Sequence, residues 1–287
     1  MIFNKLTIIM VSFFSNNQIK YILNKIHNYN NIIIVENSLL KKFKNNIEKN
    51  YNNTKVIIPK KNLGNGGGIN LAIKNIKTEF ALYLDIDVKI SQSTINKIYK
   101  ACIEHKNWAI IAPNLKKKIY NKESFIKKNS SKEISEMNFV EGCAMLFHLP
   151  TIKKLGMYDE KFFLYYEEND LFYRCLKEEK KILLLNKVYV EHKNNNGSDK
   201  EYNEEIKHVR DWHLMWSKFY YYKKNFSFGR GLFETYKSFI SAFLKTLYYY
   251  YFNKEKYKKY YNRFSGLLNA YIGKESWKRA NIKYTDI

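Results

Sequence analysis

Short apolar runs and helical periodicities alternate along roughly the first 200 residues of the chain. The apolar runs predict strands, because a run of about four to eight such residues bounded by polar ones is typical of a buried strand. They lie at residues 7–13, 32–35, 56–58, 80–84 and 108–112. Helical spacing is clearest between the first two runs, at Ile19, Ile22, Leu23 and Ile26. The alternation predicts an α/β fold with a mostly parallel, doubly wound sheet and helices on both faces.

The pattern continues less regularly after the fifth strand. It predicts a strand at 139–147, a helix at 168–178, and strands at 182–185 and 188–191. Residues 116–135 are polar and weakly patterned, which predicts an exposed loop or lid beside the site. No uncharged apolar segment reaches about 18 residues, so no membrane span is predicted.

Beyond about residue 200 the pattern changes to long amphipathic helices. Apolar residues over 232–251 follow helical spacing, with lysines on the opposite face, and a second helix of this kind starts near 257. We therefore predict two domains, an α/β domain over 1–210 and a basic, Tyr-rich helical region over 211–287.

The chain carries a formal charge of +23, which leaves nucleic acid, an anionic membrane or phosphate-bearing substrates open as partners. Residues 229–287 hold 12 Lys and Arg against 4 Asp and Glu, a net +8, together with 10 of the 25 tyrosines. This apolar, basic region either packs on the α/β domain, forms a homodimer, or lies on an anionic membrane surface.

The 3 cysteines have no short spacing, which excludes a C-x-x-C metal or redox motif and indicates a reducing compartment. The apolar start of the chain lacks the basic segment and small-residue cleavage site of a signal peptide, so we predict a strand there.

The chemistry is centred on the stretch FALYLDIDV, residues 80–88. Its D-x-D motif, Asp85 and Asp87, follows a strand that is predicted to be buried on both faces. The carboxyl ends of such strands are where open α/β sheets bind ligands, and two adjacent carboxylates favour a bound divalent cation. The alternative is that the two aspartates only cap a turn.

Three further features are each ambiguous when taken alone. The segment NLGNGGGIN, residues 62–70, either approaches an anionic ligand closely or forms a tight turn. Glu36 ends the second strand, where an acid either bonds a nucleoside or signals a helix N-cap. His192 ends a late strand and is either a metal ligand or structural.

An acidic cluster opens the helix predicted at 168–178. Glu167, Glu168 and Asp170 either stabilise the helix dipole or provide a base, since the aromatic residues upstream can raise a carboxyl pKa.

Taken in order, these motifs resemble the inverting family-2 glycosyltransferases, and their rhamnosyltransferase-like branch in particular. The resemblance spans roughly residues 5–200. It is carried by Glu36-Asn37-Ser38, NLGNGGGIN, LDIDV, EGCAMLF, GMYDEKFFLYYEENDLFYR, and His192 with Gly197-Ser198. It implies the GT-A fold, which is Rossmann-like, with residues 1–210 as the nucleotide-sugar-binding and catalytic domain.

The resemblance also implies roles for individual residues. Asp87 and His192 would bind Mg²⁺ or Mn²⁺ on the donor diphosphate. Glu168 matches the position of the general base; because the family usually has Asp there, Glu167 stays an alternative, and Asp170 would support the site. The donor would be contacted by Glu36, Asn62, Gly64, Gly66, Gly67, Gly68 and Asp85.

We therefore expect a metal-dependent inverting glycosyltransferase acting in surface polysaccharide or lipopolysaccharide synthesis. It would move a sugar from dTDP-rhamnose or a UDP-hexose to a glycan or lipid-linked acceptor. The rivals are a nucleic-acid-binding protein, which leaves the acids unexplained, and a sugar nucleotidyltransferase, which needs a basic Gly-rich loop after the first strand. We expect a cytoplasmic protein that does not bind nucleic acid, with attachment to the inner face of the plasma membrane left open.

Overall fold

A computed structural model of the chain describes residues 5–26, 28–116, 132–192 and 203–282. The described residues form two compact units, and the chain crosses between them within residues 63–67, 158–171 and near 200. Most of the predicted lid, and the Gly197-Ser198 pair, lie outside the described residues. The predicted domain boundary at 210 stays a prediction.

The first unit holds the sheet and most of the smaller helices. Its strands are β1 (Leu6–Ser12), β2 (Ile32–Glu36), β3 (Thr54–Ile57), β4 (Phe80–Leu84), β5 (Val88–Lys89), β6 (Trp108–Leu115), β7 (Ile134–Glu136), β8 (Ala144–His148) and β9 (Lys181–His192). The shorter helices of the chain are α1 (Asn16–Ile26), α2 (Lys41–Asn50), α3 (Gly64–Lys74), α4 (Gln92–Glu104), α5 (Leu149–Lys154) and α6 (Glu167–Lys177). The first turns of α3 and α6 belong to the second unit.

The strands pair in the order β3-β2-β1-β4-β8-β6-β9-β5, with β7 also on β9. Neighbours from β3 to β4 are parallel, and β8 runs antiparallel to both β4 and β6. Because β9 is parallel to β6, it runs the same way as β1 to β4. This confirms the prediction of a mostly parallel sheet.

Hydrophobic cores cover both faces of the sheet, because alternate residues of a strand point to opposite faces. On β4, Leu82 belongs to one core and Tyr83 to the other. Helices α1 and α4 pack in the first core, through residues such as Ile22 and Ile98. Helices α3 and α6 pack in the second, through residues such as Ile73. The predicted coverage of both faces is therefore confirmed.

Strand β9 differs from the two short strands predicted there. It is continuous, but its pairing with β6 shifts between Pro113 and Asn114, whose partners are Leu185 and Tyr189, so that the register skips residues 186–188 of β9. Because Asn186 and Lys187 are polar, the sequence pattern predicted a break at this place between two strands. The strand predicted at 139–147 is shorter, since β8 begins only after the turn at Gly142 and Cys143.

The second unit contains three long helices, α7 (Asn203–Asn225), α8 (Phe228–Phe252) and α9 (Lys254–Tyr271). Its core lies mainly between α7 and α9, where Trp212, Trp216 and Leu267 are buried. Helix α7 was not predicted, although the spacing of Trp212, Trp216 and Phe219 is helical. None of the described helices is both long and apolar enough to cross a membrane.

Small residues form the buried face of α8, contrary to what its apolar periodicity suggests. The buried residues are Gly231, Thr235, Ala242 and Thr246. The larger apolar residues of the predicted stripe, such as Leu244 and Leu247, are exposed. Leu232 and Phe239 of the stripe pack against the core of the second unit, so periodicity identified the apolar face of α8 but not which part of that face is covered.

The 3 cysteines, Cys102, Cys143 and Cys175, are free and buried, and all belong to the first unit. Burial raises the pKa of the Cys102 and Cys175 thiols to about 12. It also raises the pKa of Cys143, to which the neighbouring acids Asp85 and Glu141 contribute.

Replacement of Gly266 by Ala should destabilise the second unit, because an added Cβ would lie 2.3 Å from the backbone oxygen of Trp212. Overpacking of this kind costs about 1–3 kcal/mol. The matched control is Gly229→Ala, where the nearest atom is the Ser227 hydroxyl oxygen at 4.0 Å. Urea denaturation measures both; equal stability of the two variants would contradict the close packing of α9 on α7.

Acidification should destabilise the chain through His213. This residue is buried, its Nε2 donates to the Lys278 carbonyl at 2.7 Å, and burial lowers its pKa to about 3. The unfolded imidazole takes up a proton near pH 6.5 and the folded one does not, so stability falls as pH drops below about 6.5.

The expected loss from His213 between pH 7.5 and 5.5 is about 1.4 kcal/mol. His213→Gln keeps a donor for the carbonyl but cannot titrate, so its stability should fall by that much less over the same interval. Urea denaturation at both pH values makes the comparison, and an identical pH dependence of the two proteins would refute the assignment.

Candidate functional site

Strand β4 ends at Leu84, and the next three residues turn the chain into the short strand β5. In this turn the backbone N–H of Asp85 donates to the Cys143 carbonyl at 2.8 Å, and that of Val88 donates to the Asp85 carbonyl at 3.1 Å. The strand geometry that would direct Asp85 and Asp87 to the same side therefore does not persist. The turn itself fixes their positions.

His192 joins the two aspartates through the pairing of β5 with β9. Val88 lies opposite His192 in the antiparallel register. The His192 Nε2 is 2.9 Å from the Asp87 Oδ1 and 3.7 Å from the Asp85 Oδ2. The structure thus brings together three of the residues singled out from the sequence, all within the first unit.

The electrostatics of this cluster depend on its two carboxylates. The hydrogen bond to Asp87 raises the pKa of His192 above its usual value, while burial opposes that shift. The Tyr83 hydroxyl donates to the Asp85 Oδ1, so a residue of the buried strand orients the first carboxylate. Glu141 adds further negative charge to the environment of His192.

A divalent cation fits the chemistry of this cluster. One ligand atom from each of Asp85, Asp87 and His192 lies within 4.8 Å of the others, and the three side chains are partly exposed. Within the described ranges this is the one group of at least three such residues that could hold a metal ion. Two carboxylates and an imidazole suit Mn²⁺ and related ions, provided the imidazole is neutral when it binds.

Glu36 is buried, whereas a side chain that bonds a nucleoside would have to be accessible to it. It is buried at the end of β2, and its Oε1 accepts from the backbone N–H of Ser38 at 2.8 Å and from the Ser38 hydroxyl. Burial raises the pKa of the Glu36 carboxyl, and these hydrogen bonds partly offset that shift. The N-cap alternative is not seen, since α2 begins after Leu40 without a side-chain cap.

The Gly-rich segment forms the first turns of α3 and the residues before it. Its glycines have packing reasons of their own. A Cβ on Gly68 would lie 2.8 Å from Val11, and one on Gly67 would lie 3.0 Å from the Cβ of Leu63. Asn62 and Gly66 lie in the same segment, partly and fully buried respectively.

Gly64 belongs to the second unit and has a left-handed backbone with φ of +74°. A Cβ there would lie 2.1 Å from the Phe163 carbonyl oxygen, and the next residue, Asn65, donates its N–H to that oxygen at 3.1 Å. Close backbone approach therefore does explain why a glycine occupies this position. The group that approaches it is the Phe163 carbonyl of the protein itself and not a ligand.

The acidic cluster opens α6, in the second unit. Glu167 and Asp170 are buried and Glu168 is partly exposed. All three lie in the first turn, where carboxylates stabilise the positive end of the helix dipole. Of the three, Glu168 is the one that solvent reaches most easily.

Two tyrosines before α6 have unusual backbones. Tyr165 and Tyr166 both have φ of +66°, a region that costs about 1–3 kcal/mol for a residue with a side chain. Such residues cluster at functional sites, where surrounding contacts hold them. Here they immediately precede the carboxylates of Glu167 and Glu168.

Lys224 of α7 is a residue that the sequence reasoning missed. Its Nζ lies 2.7 Å from the Asp170 Oδ1 and 2.8 Å from the Asp159 Oδ2. The Tyr220 hydroxyl also donates to Asp159, at 3.1 Å. Asp170 therefore anchors the first turn of α6 to α7 within the second unit. No local pattern links it to a lysine so distant in the chain.

Comparison with known proteins identifies a family and individual proteins to which this chain is similar. The model of the family described as "Glycosyl transferase family 2" matches residues 7–154. The low-salt glycan biosynthesis hexosyltransferase Agl10 of Haloferax volcanii is 24% identical over 197 residues, which are 60% of this chain. The match spans 62% of the length of that relative.

Solved glycosyltransferases share the fold. The mannosyltransferase PcManGT from Pyrobaculum calidifontis, in complex with GDP-Man and Mn²⁺, is similar with a TM-score of 0.59 at 10% identity, over 93% of this chain and 86% of that one. TarS 1–349 of S. aureus, in complex with UDP-GlcNAc, is similar with a TM-score of 0.54 at 15% identity, over 94% and 92%.

These likenesses confirm the predicted GT-A fold, with further helices at the C-terminal end. The family match extends over just more than half of the 287 residues. The chain is therefore a member of glycosyl transferase family 2.

Proposed function

We propose that the protein is a metal-dependent, inverting glycosyltransferase that uses a nucleotide diphosphate sugar. The observation that carries the proposal is the convergence of Asp85, Asp87 and His192 at the end of β4. Carboxylates at the carboxyl end of a central parallel strand lie where α/β folds bind their ligands. Proteins of similar fold that were solved with GDP-Man and Mn²⁺, or with UDP, GalNAc and Mn²⁺, support a role in binding a nucleotide, a sugar and a divalent cation.

In this proposal Asp87 and His192 hold Mg²⁺ or Mn²⁺, and Asp85 contacts the ribose or the donor sugar. The cation supplies positive charge that stabilises the departing nucleoside diphosphate. Tyr83 keeps the Asp85 carboxylate oriented through its hydroxyl, so that a buried residue fixes a partly exposed one.

Glu168 accepts the proton of the acceptor hydroxyl, which is a poor nucleophile until it is deprotonated. The acceptor oxygen then bonds to the anomeric carbon as the bond to the diphosphate oxygen breaks. A single displacement of this kind inverts the anomeric centre and needs no covalent enzyme intermediate. Glu167 stays the alternative base, and Asp170 supports the helix through its contact with Lys224.

For the donor we propose dTDP-rhamnose or a UDP-hexose, contacted by the Gly-rich segment from Asn62 to Gly68 and by Glu36. Because Glu36 is buried against Ser38, it contributes chiefly by shaping the end of β2. The acceptor we propose is a glycan or a lipid-linked glycan in cytoplasmic surface-polysaccharide synthesis. Pairing into a homodimer and attachment to an anionic membrane are the alternatives for the C-terminal helices.

Asp87→Asn should weaken Mn²⁺ binding by about tenfold or more, since it removes one of the anionic ligands. The matched control is Glu191→Gln, because Glu191 neighbours His192 but pairs with Lys89 and Lys116 instead. Titration of Mn²⁺ followed by electron paramagnetic resonance measures affinity without requiring turnover. Equal affinity of the Asp87→Asn and wild-type proteins would rule out the proposed metal site.

Glu168→Gln should retain nucleotide binding but lose transfer by about 10²–10⁴-fold, the contribution typical of a general base. Glu160→Gln is the control, because Glu160 is an exposed acid of the same segment. UDP binding is measured by calorimetry, and nucleoside diphosphate release is measured with UDP-glucose and dTDP-rhamnose. If Glu167→Gln alone abolishes release, the base is Glu167 and the assignment to Glu168 is wrong.

A further inference from the structure

Aromatic side chains crowd the end of the hairpin formed by α8 and α9. The last residues of α8 are Tyr248, Tyr249, Tyr250, Tyr251 and Phe252, and we call these five residues the aromatic tip. Tyr250, Tyr251 and Phe252 are 62%, 82% and 71% exposed. Soluble proteins seldom expose so much contiguous apolar surface without a partner for it.

The aromatic tip is exposed around most of the helix circumference. Consecutive residues of an α-helix are separated by about 100°, so the three consecutive exposed residues Tyr250, Tyr251 and Phe252 cannot share one face. Leu244 and Leu247, one to two turns earlier, are also more than half exposed. A flat protein surface would cover only one side of such a helix end, whereas a fluid layer would contact all of it.

The end of the hairpin is capped by hydrogen bonds and is not a frayed terminus. The Asn253 side chain accepts from the Lys256 N–H at 2.9 Å and so caps α9, while the Asn253 N–H donates to the Tyr249 carbonyl at 3.0 Å. Tyr249 and Tyr260 stack across the hairpin with ring centroids 5.6 Å apart. The aromatic tip is therefore presented at little cost in conformational entropy.

Lysines surround the aromatic tip. Residues 245–260 contain five lysines against the single acid Glu255, a net charge of +4. Lys245 lies 5.0 Å from the ring centroid of Tyr260, and Lys256 lies 5.1 Å from that of Tyr249. Exposed apolar rings and ammonium groups are therefore interleaved at one end of the second unit.

We propose that the aromatic tip and its lysines dock on an anionic phospholipid surface. Tyr and Phe side chains lie at the boundary between headgroups and acyl chains, and flanking lysines contact the lipid phosphates. The exposed leucines of α8 then enter the acyl region. This inference goes beyond the proposed transfer reaction and does not depend on it.

Charge favours a membrane over a second copy of the chain. Two copies meeting through their tips would bring +4 against +4, and like charges in an interface cost free energy. Aliphatic side chains such as Leu244 and Leu247 argue against a nucleic acid, because they offer no stacking surface for bases. An anionic bilayer offers phosphate groups to the lysines and an apolar acyl region to the aliphatic residues.

The test uses the full chain and sedimentation with vesicles of phosphatidylcholine, alone or mixed equally with phosphatidylglycerol. The tip variant is Tyr251→Ser with Phe252→Ser. The control is Phe233→Ser with Tyr236→Ser, two exposed aromatics on the same helix roughly 25 Å away at 1.5 Å per residue. Far-UV circular dichroism checks that both variants keep their helices.

The wild type and the control should bind the anionic vesicles, less strongly as salt is added, and bind phosphatidylcholine weakly. The tip variant should bind the anionic vesicles about tenfold less tightly or worse. The proposal would be overturned if the tip variant bound anionic vesicles as tightly as the wild type does. It would also be overturned if the wild type did not bind anionic vesicles.

Two other outcomes would replace the membrane with another partner. A concentration-dependent dimer that only the tip variant loses, without vesicle binding, would assign the tip to a second copy. Binding of single-stranded oligonucleotide that needs the tip would assign it to nucleic acid. Mn²⁺ titration of the tip variant should match that of the wild type, because Asp85, Asp87 and His192 belong to the first unit. A failure of the proposed metal site can therefore be distinguished from a failure of the proposed membrane contact.

Discussion

The antiparallel contact between β5 and β9 is the interaction on which the candidate metal site depends. Strand β5 has only 2 residues, yet its register places His192 against Asp87, 105 positions away in the chain. So short a strand is weak by itself, and the buried side chains of Val88 and Ile90 hold it in place. The Lys89–Glu191 pair across the same contact is exposed and adds little.

Strand β9 changes its register on β6 before it pairs with β5. After the shift at Pro113 and Asn114, β9 continues to His192 and pairs there with β5. The second unit positions its carboxylates by other means. The positive φ angles of Tyr165 and Tyr166 set the direction of the chain just before α6, and the ion pair between Asp170 and Lys224 holds the first turn of that helix.

Much of the sheet could be predicted from the sequence, because β1, β2 and β4 are buried on both faces and read as continuous apolar runs. Asp85 and Asp87 could be placed at the end of such a run for the same reason. The partnership of Asp87 with His192 could not be derived from spacing, since only sheet register creates it; family resemblance indicated it instead. Likewise, the periodicity of α8 showed an apolar face but not that small residues would pack.

The placement of the cysteines has a consequence for studies of the two units. Cys102, Cys143 and Cys175 all lie inside the first unit, and burial raises the pKa of each thiol. The thiolate is the reactive form, so alkylating reagents reach these sulfurs chiefly when that unit opens. Because the second unit has no cysteine among its residues, the rate of alkylation is a natural reporter of opening in the α/β unit alone, without any label being introduced.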